Sequence, residues 1–263
     1  MIHIVGAGSG AADLITLRGV RLLRAADVVV WAGSLVNPEL LAECKESCVV
    51  YDSAHMTLEE VLDVMCAADA RGEEVVRLHT GDPCLYGAIQ EQMDALDARG
   101  VDYEVVPGVS SFCGAAAALR QEYTLPGISQ SVVITRLSGR TPMPAGEGMR
   151  TMAESGSTMV IFLSSGMLAE LSAELLAAGR SFDEPAALVY KATWPEERVV
   201  RCTVGTLADA GAREGIDRTA LVVVGRVLGA RGGLAHNGAQ AESYERSKLY
   251  DPSFATGYRK ARS

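Results

Sequence analysis

The chain has 263 residues, 48% of them hydrophobic and 22% charged, so it can bury one large core or two moderate ones and is not intrinsically disordered. Its net charge of −9 argues against a nucleic-acid partner, although a local cluster of Arg could still hold an acidic ligand. The six cysteines show no paired metal-ligand spacing, and no apolar stretch reaches membrane-spanning length. We therefore expect reduced thiols, no metal site, no membrane contact and a cytoplasmic location.

The first half of the chain alternates short apolar runs with helical patterns, which is typical of an α/β fold with a parallel sheet. The clearest helix begins at Thr57, which forms a capping-box pair with Glu60, and it ends at Arg71-Gly72. Continuous runs rich in Val, Ile and Tyr predict five buried strands: Ile2–Val5, Val28–Trp31, Cys48–Tyr51, Glu74–His79 and Tyr103–Val106.

The second half of the chain predicts another α/β domain. Residues 122–130 contain Pro126-Gly127 and no periodic pattern, so we expect a linker between a domain at 1–121 and one at 131–229. Residues 230–263 are predicted to form a partly ordered tail that packs on the body or on a partner. Apolar periodicity predicts a helix at Met167–Ala178. The runs Ala186–Lys191 and Arg198–Thr203 are predicted to form a hairpin. Three further strands are predicted at Ser131–Leu137, Thr158–Leu163 and Ala220–Val227. Two such domains would leave a cleft between them.

A glycine-rich turn, Gly6-Ala7-Gly8-Ser9-Gly10, follows the first predicted strand and precedes a helix. Such a turn can hold the phosphates of a dinucleotide, but Ala11 replaces the third glycine of that fingerprint. The fingerprint also needs an acidic residue at the end of the second strand, where this chain has Gly33-Ser34. The sequence therefore favours another ligand, or simple close packing, over NAD or FAD.

Two further turn-rich segments, Thr80–Gly87 and Val106–Phe112, each follow a predicted strand and lead into a helix. We expect both at the carboxyl ends of neighbouring strands, where α/β sheets bind small ligands. Asp82 could face a cationic ligand group or could cap its own turn. Ser110 and Ser111 could be helix N-caps, and neither lies in the elbow motif of a nucleophilic serine.

The remaining polar residues give weaker indications. The four histidines are dispersed, and only His79 lies beside a candidate turn. Neither an acid/base dyad nor a Walker loop is present, which favours chemistry in which the protein positions reagents that are already reactive. A subset of four basic residues in the second domain could bind carboxylates: Arg136, Arg140, Lys191 and Arg198.

The chain resembles the tetrapyrrole methylases, S-adenosylmethionine-dependent enzymes with two α/β domains. The resemblance spans essentially the whole chain and is carried by three motifs: Val5–Gly19, Gly81-Asp82-Pro83 with Tyr86-Gly87, and Val106–Ser111. The family usually has Pro-Gly-Asp where this chain has Ser9-Gly10-Ala11. The segment Ser53–Glu60 and the tail segment Ser247–Pro252 are similar to the branch that methylates precorrin-4 in cobalamin synthesis.

The resemblance implies a site for S-adenosylmethionine in the interdomain cleft, held largely by main-chain groups. It also implies that the Gly6–Gly10 turn faces the tetrapyrrole. The donor-binding residues that it implies are Thr80, Gly81, Asp82, Leu85, Tyr86, Ser110, Ser111 and Phe112, and, matched on less distinctive motifs, Leu163, Ala192, Thr219 and Ala220.

The function that the resemblance implies is C-methylation at C(11) of precorrin-4 or its cobalt form, without an assigned catalytic acid or base. Alternatives are another corrin-pathway methylase, a diphthine synthase-like or ribosomal-RNA methyltransferase, and a non-catalytic nucleotide- or tetrapyrrole-binding module. The acidic charge disfavours the RNA alternative. The apolar content and the tail lead us to expect a homodimer.

Overall fold

The computed structural model describes residues 1–230, 244 and 247–261. Residue contacts group the chain into two units. The first comprises Met1–Ala115 with Lys191–Glu196, and the second comprises Ala116–Tyr190 with the described residues from Glu197 onward. The domain boundaries drawn from the sequence stay predictions. His236 and most of the predicted tail before residue 247 lie outside the described residues.

The first unit is built on a five-stranded sheet. Its strands are β1 Ile2–Gly6, β2 Val28–Trp31, β3 Val49–Asp52, β4 Val75–His79 and β5 Tyr103–Val106; the helices are α1 Leu17–Ala25, α2 Leu58–Ala70, α3 Gln90–Ala98 and α4 Ser111–Leu119, the last of which continues into the second unit. The strands lie in the order β3-β2-β4-β1-β5, with every neighbouring pair parallel. Separate apolar clusters cover the two faces, which is why the central strands β1, β2 and β4 read as continuous apolar runs. The strand predicted as buried at Cys48–Tyr51 is instead an exposed edge strand, because only one neighbour covers it.

Helix α2 begins as the sequence predicts. Thr57 Oγ1 accepts from the amide of Glu60 at 3.3 Å, and Glu60 Oε2 accepts from the amide of Thr57 at 2.8 Å. The capping box is therefore confirmed. The last helical residue is Ala70 and Arg71 is the C-cap; Gly72 follows with φ +75, a left-handed conformation that glycine adopts without strain.

The strand order corrects one expectation from the sequence. The sequence predicts the segments after β4 and β5 on neighbouring strands, but β1 lies between β4 and β5 and pairs with both. The reason is that pairing across the sheet is decided by contacts distant in sequence, which local periodicity does not report. As a result, the glycine turn after β1 lies between the other two turns.

The second unit contains a mixed five-stranded sheet. Its strands are β6 Val132–Arg136, β7 Thr158–Phe162, β8 Pro185–Tyr190, β9 Arg198–Thr203 and β10 Ala220–Val224; the helices are α5 Met149–Ala153, α6 Leu168–Ala177 and α7 Leu207–Glu214. The strands lie in the order β6-β7-β10-β8-β9, and among these neighbours only β6 and β7 are parallel. The predicted hairpin is confirmed by the antiparallel pairing of β8 with β9.

Strand β10 ends three residues before the predicted end at Val227. Gly225 has φ +151, which breaks the extended backbone, and a 3₁₀ turn follows at Arg226–Gly229. Residues 122–130 contact this sheet: Thr158 Oγ1 donates to the carbonyl oxygen of Tyr123 at 2.9 Å. Arg226 Nη2 donates to the carbonyl oxygen of Ile128 at 2.8 Å.

Candidate functional site

Three loops meet at the carboxyl edge of the first sheet: loop 7–11 after β1, loop 80–88 after β4 and loop 107–110 after β5. Gly8 and Gly81 form an isolated antiparallel bridge, with each amide donating to the other's carbonyl oxygen. A Cβ on Gly6 would lie 2.6 Å from Gly108 Cα and 2.6 Å from the carbonyl oxygen of Gly81. The loops pack this closely because glycine occupies each crossing point.

Asp82 joins two of these loops through its side chain. Its Oδ2 accepts from the amide of Gly108 at 2.9 Å, and its Oδ1 accepts from the amide of Cys84 at 2.8 Å. Burial opposes ionisation, but the hydrogen bonds from the thiol and amide of Cys84 and from Gly108 outweigh it and lower the pKa of Asp82. The turn-capping role considered from the sequence is therefore present in the structure.

Loop 80–88 carries two non-glycine residues with left-handed backbone. Tyr86 has φ +57 and Ala88 has φ +49, and Gly87 between them packs against the main chain of Pro83. The Tyr86 side chain is 45% exposed. Each left-handed non-glycine residue costs on the order of 1–3 kcal/mol, so the surrounding contacts must hold this loop in place.

The serines predicted at the site lie at the start of α4. Ser110 is buried and its carbonyl oxygen accepts from the amide of Cys113 at 3.0 Å, while Ser111 is the first residue of the helix. A Cβ on Gly81 would make only ordinary contacts, 3.6 Å to Ser110 Cα and 3.7 Å to Ser111 N. The structure thus brings Thr80–Tyr86 and Ser110–Phe112 together at one edge of the first unit.

Residues 191–196 contact loop 7–11 within the first unit. Thr193 Oγ1 accepts from the amide of Ala11 at 3.0 Å and lies 3.1 Å from Ser9 Oγ. A Cβ on Gly10 would collide with the Trp194 indole and lie 2.9 Å from the carbonyl oxygen of Ala192. Ser9, part of the departure from the family pattern, therefore pairs with a residue of the segment that contains Ala192.

Sequence reasoning missed two residues that support this loop, Thr193 and Asn37. Asn37 Nδ2 donates to the carbonyl oxygen of Gly10 at 2.9 Å, and its Oδ1 accepts from the amide of Glu39. The sequence signal for Asn37 was the Asn-Pro pair that opens a 3₁₀ turn. Thr193 gave no such signal, because its partners are about 180 residues away in sequence.

In the second unit, the remaining predicted site residues lie at one edge of the sheet. Leu163 follows β7, Thr219 precedes β10, and these two strands pair antiparallel, so their two ends adjoin. Leu163 has φ +52 and Thr219 has φ +54. The Leu163 side chain is 64% exposed, an unusual state for a leucine held in a strained conformation.

Several left-handed non-glycine residues coincide with predicted donor contacts or directly flank one of them. Among the described residues, three of the seven are predicted donor contacts and two more flank Ala192. The seven are Tyr86, Ala88, Arg120, Leu163, Lys191, Thr193 and Thr219. Strained backbone clusters at functional sites, because strain persists only where the rest of the structure fixes it. This coincidence supports a functional role for these segments of each unit.

His79 does not line the surface of the first unit. Its side chain is buried, and its Nε2 has no hydrogen-bond partner within the described residues. Burial and the nearby Arg77 guanidinium lower the pKa of His79 to about 3, so the imidazole is neutral at physiological pH. A neutral buried imidazole is poorly suited to act as a general base.

Three of the four candidate carboxylate-binding cations have partners within the chain. Lys191 Nζ pairs with Glu196 at 2.8 Å, and Arg198 lies 4.7 Å from the centre of the Tyr190 ring. Arg136 donates to the carbonyl oxygens of Thr141 and Pro142, and Arg140 is exposed.

None of the helices in the described part of the chain has both the length and the apolar character needed to span a membrane. Among the same described residues, no group of three or more His, Cys, Asp or Glu side chains is placed so that it could hold a metal ion.

Comparison with known proteins gives consistent results. A family model described as tetrapyrrole (corrin/porphyrin) methylases matches residues 1–208. A cobalt-precorrin-4 C(11)-methyltransferase of Methanocaldococcus jannaschii is 47% identical over 99% of this chain and 96% of its own length. The X-ray structure of a cobalt-precorrin-4 methyltransferase of cobalamin biosynthesis superposes with a TM-score of 0.85 at 46% identity, covering 86% of this chain and 95% of its own.

A second solved structure contains a bound product of the methyl donor. It is uroporphyrin-III C-methyltransferase from Thermus thermophilus in complex with S-adenosylhomocysteine. It matches with a TM-score of 0.71 at 28% identity, covering 86% of this chain and 92% of its own.

Proposed function

Because the chain belongs to the tetrapyrrole (corrin/porphyrin) methylases, we propose that it transfers a methyl group from S-adenosylmethionine to C(11) of precorrin-4 or its cobalt complex. The observation that carries the proposal is the likeness to the precorrin-4 branch along 99% of the chain. This likeness continues past residue 208, where the match to the family model ends. The product of this reaction would be a corrin precursor of cobalamin.

The residues at the edge of the first sheet fit a donor held largely by main-chain groups. Gly81 carries no side chain over its backbone, Gly6 and Gly108 let the three loops pack main chain against main chain, and Ser110 and Ser111 lie beside Gly81. Tyr86 presents a half-exposed ring in the same loop. The proposed donor contacts are Thr80, Gly81, Asp82, Leu85, Tyr86, Ser110, Ser111 and Phe112, with Leu163, Ala192, Thr219 and Ala220 as further contacts.

The chain's part in the chemistry is to bind, orient and exclude water. Bound S-adenosylmethionine supplies a methyl group on a sulfonium sulfur, and a carbon–carbon bond to the acceptor replaces the carbon–sulfur bond. Because positive charge disappears from the sulfur as the methyl group leaves, a dry site favours the reaction over the same reaction in water. Apolar side chains such as Leu163 can exclude water, and rigid loops can hold the reacting atoms about 3 Å apart.

A carboxylate-bearing acceptor requires cations, and the basic residues of the second unit are candidates. Arg140 is exposed, while Arg136 and Arg198 already donate to main-chain carbonyl oxygens. A guanidinium has five N–H donors, so these arginines can bind a carboxylate and keep those bonds. We propose that a subset of Arg136, Arg140, Lys191 and Arg198 contacts the acceptor.

The proposal is tested by methyl transfer. The chain is incubated with S-adenosylmethionine carrying a carbon-13 methyl group, in separate reactions with precorrin-4 and cobalt-precorrin-4. We expect the label at C(11) of the ring in at least one reaction, seen by nuclear magnetic resonance. Label at another ring carbon would support a different corrin-pathway methylase. Binding of donor and acceptor without transfer would overturn the enzyme proposal in favour of a binding module.

We also propose that the chain is a homodimer in the cytoplasm. The edge strand β3 exposes Val49, Val50 and Tyr51, an arrangement that soluble proteins usually cover. All six cysteines are free thiols, which is typical of a reducing compartment. Sedimentation at micromolar concentration should give twice the mass of the chain, and Val50→Lys should lower it toward that of one chain. A monomeric wild-type protein would contradict the homodimer.

A further inference from the structure

A buried amide side chain, Gln92 on α3, connects loop 80–88 to the interior of the first sheet. Gln92 is 4% exposed. Its Nε2 donates to the carbonyl oxygen of Ala88 at 3.0 Å, and its Oε1 accepts from Arg77 Nε at 3.1 Å. Arg77 Nη1 donates in turn to the carbonyl oxygen of Val30 in β2 at 3.2 Å. A hydrogen-bonded path therefore runs from β2 to the end of the loop.

Ala88 needs such a partner because of its backbone conformation. It has φ +49, two residues after Tyr86 with φ +57, so the loop reaches α3 through two left-handed residues. Alanine prefers right-handed or extended backbone, and a free segment would relax toward those regions. The bond from Gln92 to the Ala88 carbonyl oxygen opposes that relaxation, because it fixes the peptide plane that follows Ala88.

Two of the neighbours of Gln92, Arg77 and the Ala88 carbonyl, require an amide at this position, and the buried His79 imidazole is a third polar neighbour. Arg77 can only donate and the Ala88 carbonyl can only accept, so the amide oxygen must face Arg77 and the amide nitrogen must face Ala88. Arg77 is 7% exposed, and no ion pair among the described residues includes it. A buried arginine usually pairs with a carboxylate, which would hold the cation better than an amide does.

An ionised glutamate at position 92 would satisfy Arg77 but would have no hydrogen for Ala88. The property that glutamine adds is therefore the bond to the loop. We propose that Gln92 is a positioning residue that holds loop 80–88, and with it Tyr86, in the conformation that binds the methyl donor. This inference rests on the proposed function, which assigns donor binding to that loop.

The test compares Gln92→Glu with Gln90→Glu at pH 8. Gln90 lies on the same helix, is exposed, and donates to Asp94, so its replacement makes the same charge change outside loop 80–88. Three quantities are measured for each variant: unfolding by denaturant, affinity for S-adenosylhomocysteine by calorimetry, and hydrogen exchange of the amides at 82–88 without ligand.

We expect Gln92→Glu to unfold at the same or higher denaturant concentration than wild type, because the new carboxylate pairs with Arg77. Its affinity for S-adenosylhomocysteine should nevertheless fall by about tenfold, the effect of one lost hydrogen bond, and its loop amides should exchange faster. Gln90→Glu should match wild type in affinity and exchange. If Gln92 only stabilised the fold, a variant as stable as wild type would also keep the wild-type affinity for S-adenosylhomocysteine.

Wild-type affinity together with wild-type exchange in folded Gln92→Glu would overturn the proposal. If Gln92→Glu does not fold, Gln92→Met, which removes both bonds without adding charge, is compared in the same way below its unfolding transition. Unchanged loop exchange in that variant overturns the proposal. If the wild-type protein itself does not bind S-adenosylhomocysteine, the proposed function fails, and exchange still decides whether Gln92 holds the loop.

Discussion

Gly108→Ala is expected to reduce donor affinity strongly, because the added Cβ would collide with the carbonyl oxygen of Gly81 and lie 2.8 Å from Gly6 Cα. Both atoms belong to the main chain, so no side chain can rotate away and one loop must move. A misfit of this kind costs about 2 kcal/mol, roughly thirtyfold in affinity if all of it appears in binding. Calorimetric titration with S-adenosylhomocysteine measures the change.

The matched control is Gly148→Ala. A Cβ on Gly148 meets nothing within 4 Å, and its backbone has φ −60, which alanine adopts freely. We expect this variant to bind the donor product as the wild type does. Equal affinity of Gly108→Ala and wild type would contradict the close approach of the three loops as the basis of the donor site.

Asp82→Ala should weaken donor binding by about tenfold and lower stability, because the amides of Gly108 and Cys84 both lose their acceptor. The expected loss of unfolding free energy is about 2 kcal/mol, since Asp82 is partly exposed and water can replace part of each bond. Asp102→Ala, at an exposed acidic residue of the same unit, is the control and should change neither quantity.

The stability effect of Asp82 should depend on pH. The folded protein lowers the pKa of this carboxyl, so ionised Asp82 stabilises the fold at pH values above its ordinary pKa. That contribution is lost as pH falls through the lowered pKa. The difference in unfolding free energy between wild type and Asp82→Ala should therefore be full at pH 7 and shrink in strong acid. A difference that grows toward acid would contradict the assignment.

The sequence predicted those parts of the fold that local patterns encode. The strand Val28–Trp31 and the capping box of Thr57 with Glu60 appear as predicted, because apolar runs and cap spacing act within a few residues. The position of β1 between β4 and β5 was not predictable in this way, since it depends on pairing between segments about 75 to 100 residues apart.

The candidate site was predictable in its loops but not in its supports. Glycines at 81 and 108 indicated close approach, and the structure shows that approach. Tyr86, Leu163 and Thr219 gave no sign of left-handed backbone, because these residue types disfavour it and only the surrounding fold imposes it. Thr193 and Gln92 were likewise missed, because their partners are defined only in the folded chain.

The left-handed residues have a consequence for protein engineering. Replacement of Leu163 or Thr219 by glycine would remove backbone strain, so a library selected only for heat resistance would be enriched in such substitutions. The same substitutions would change the surface at the edge where ligand contacts are proposed. Selection for thermostability alone would thus draw mutations toward the functional edge, and a screen of this protein needs an activity criterion from its first round.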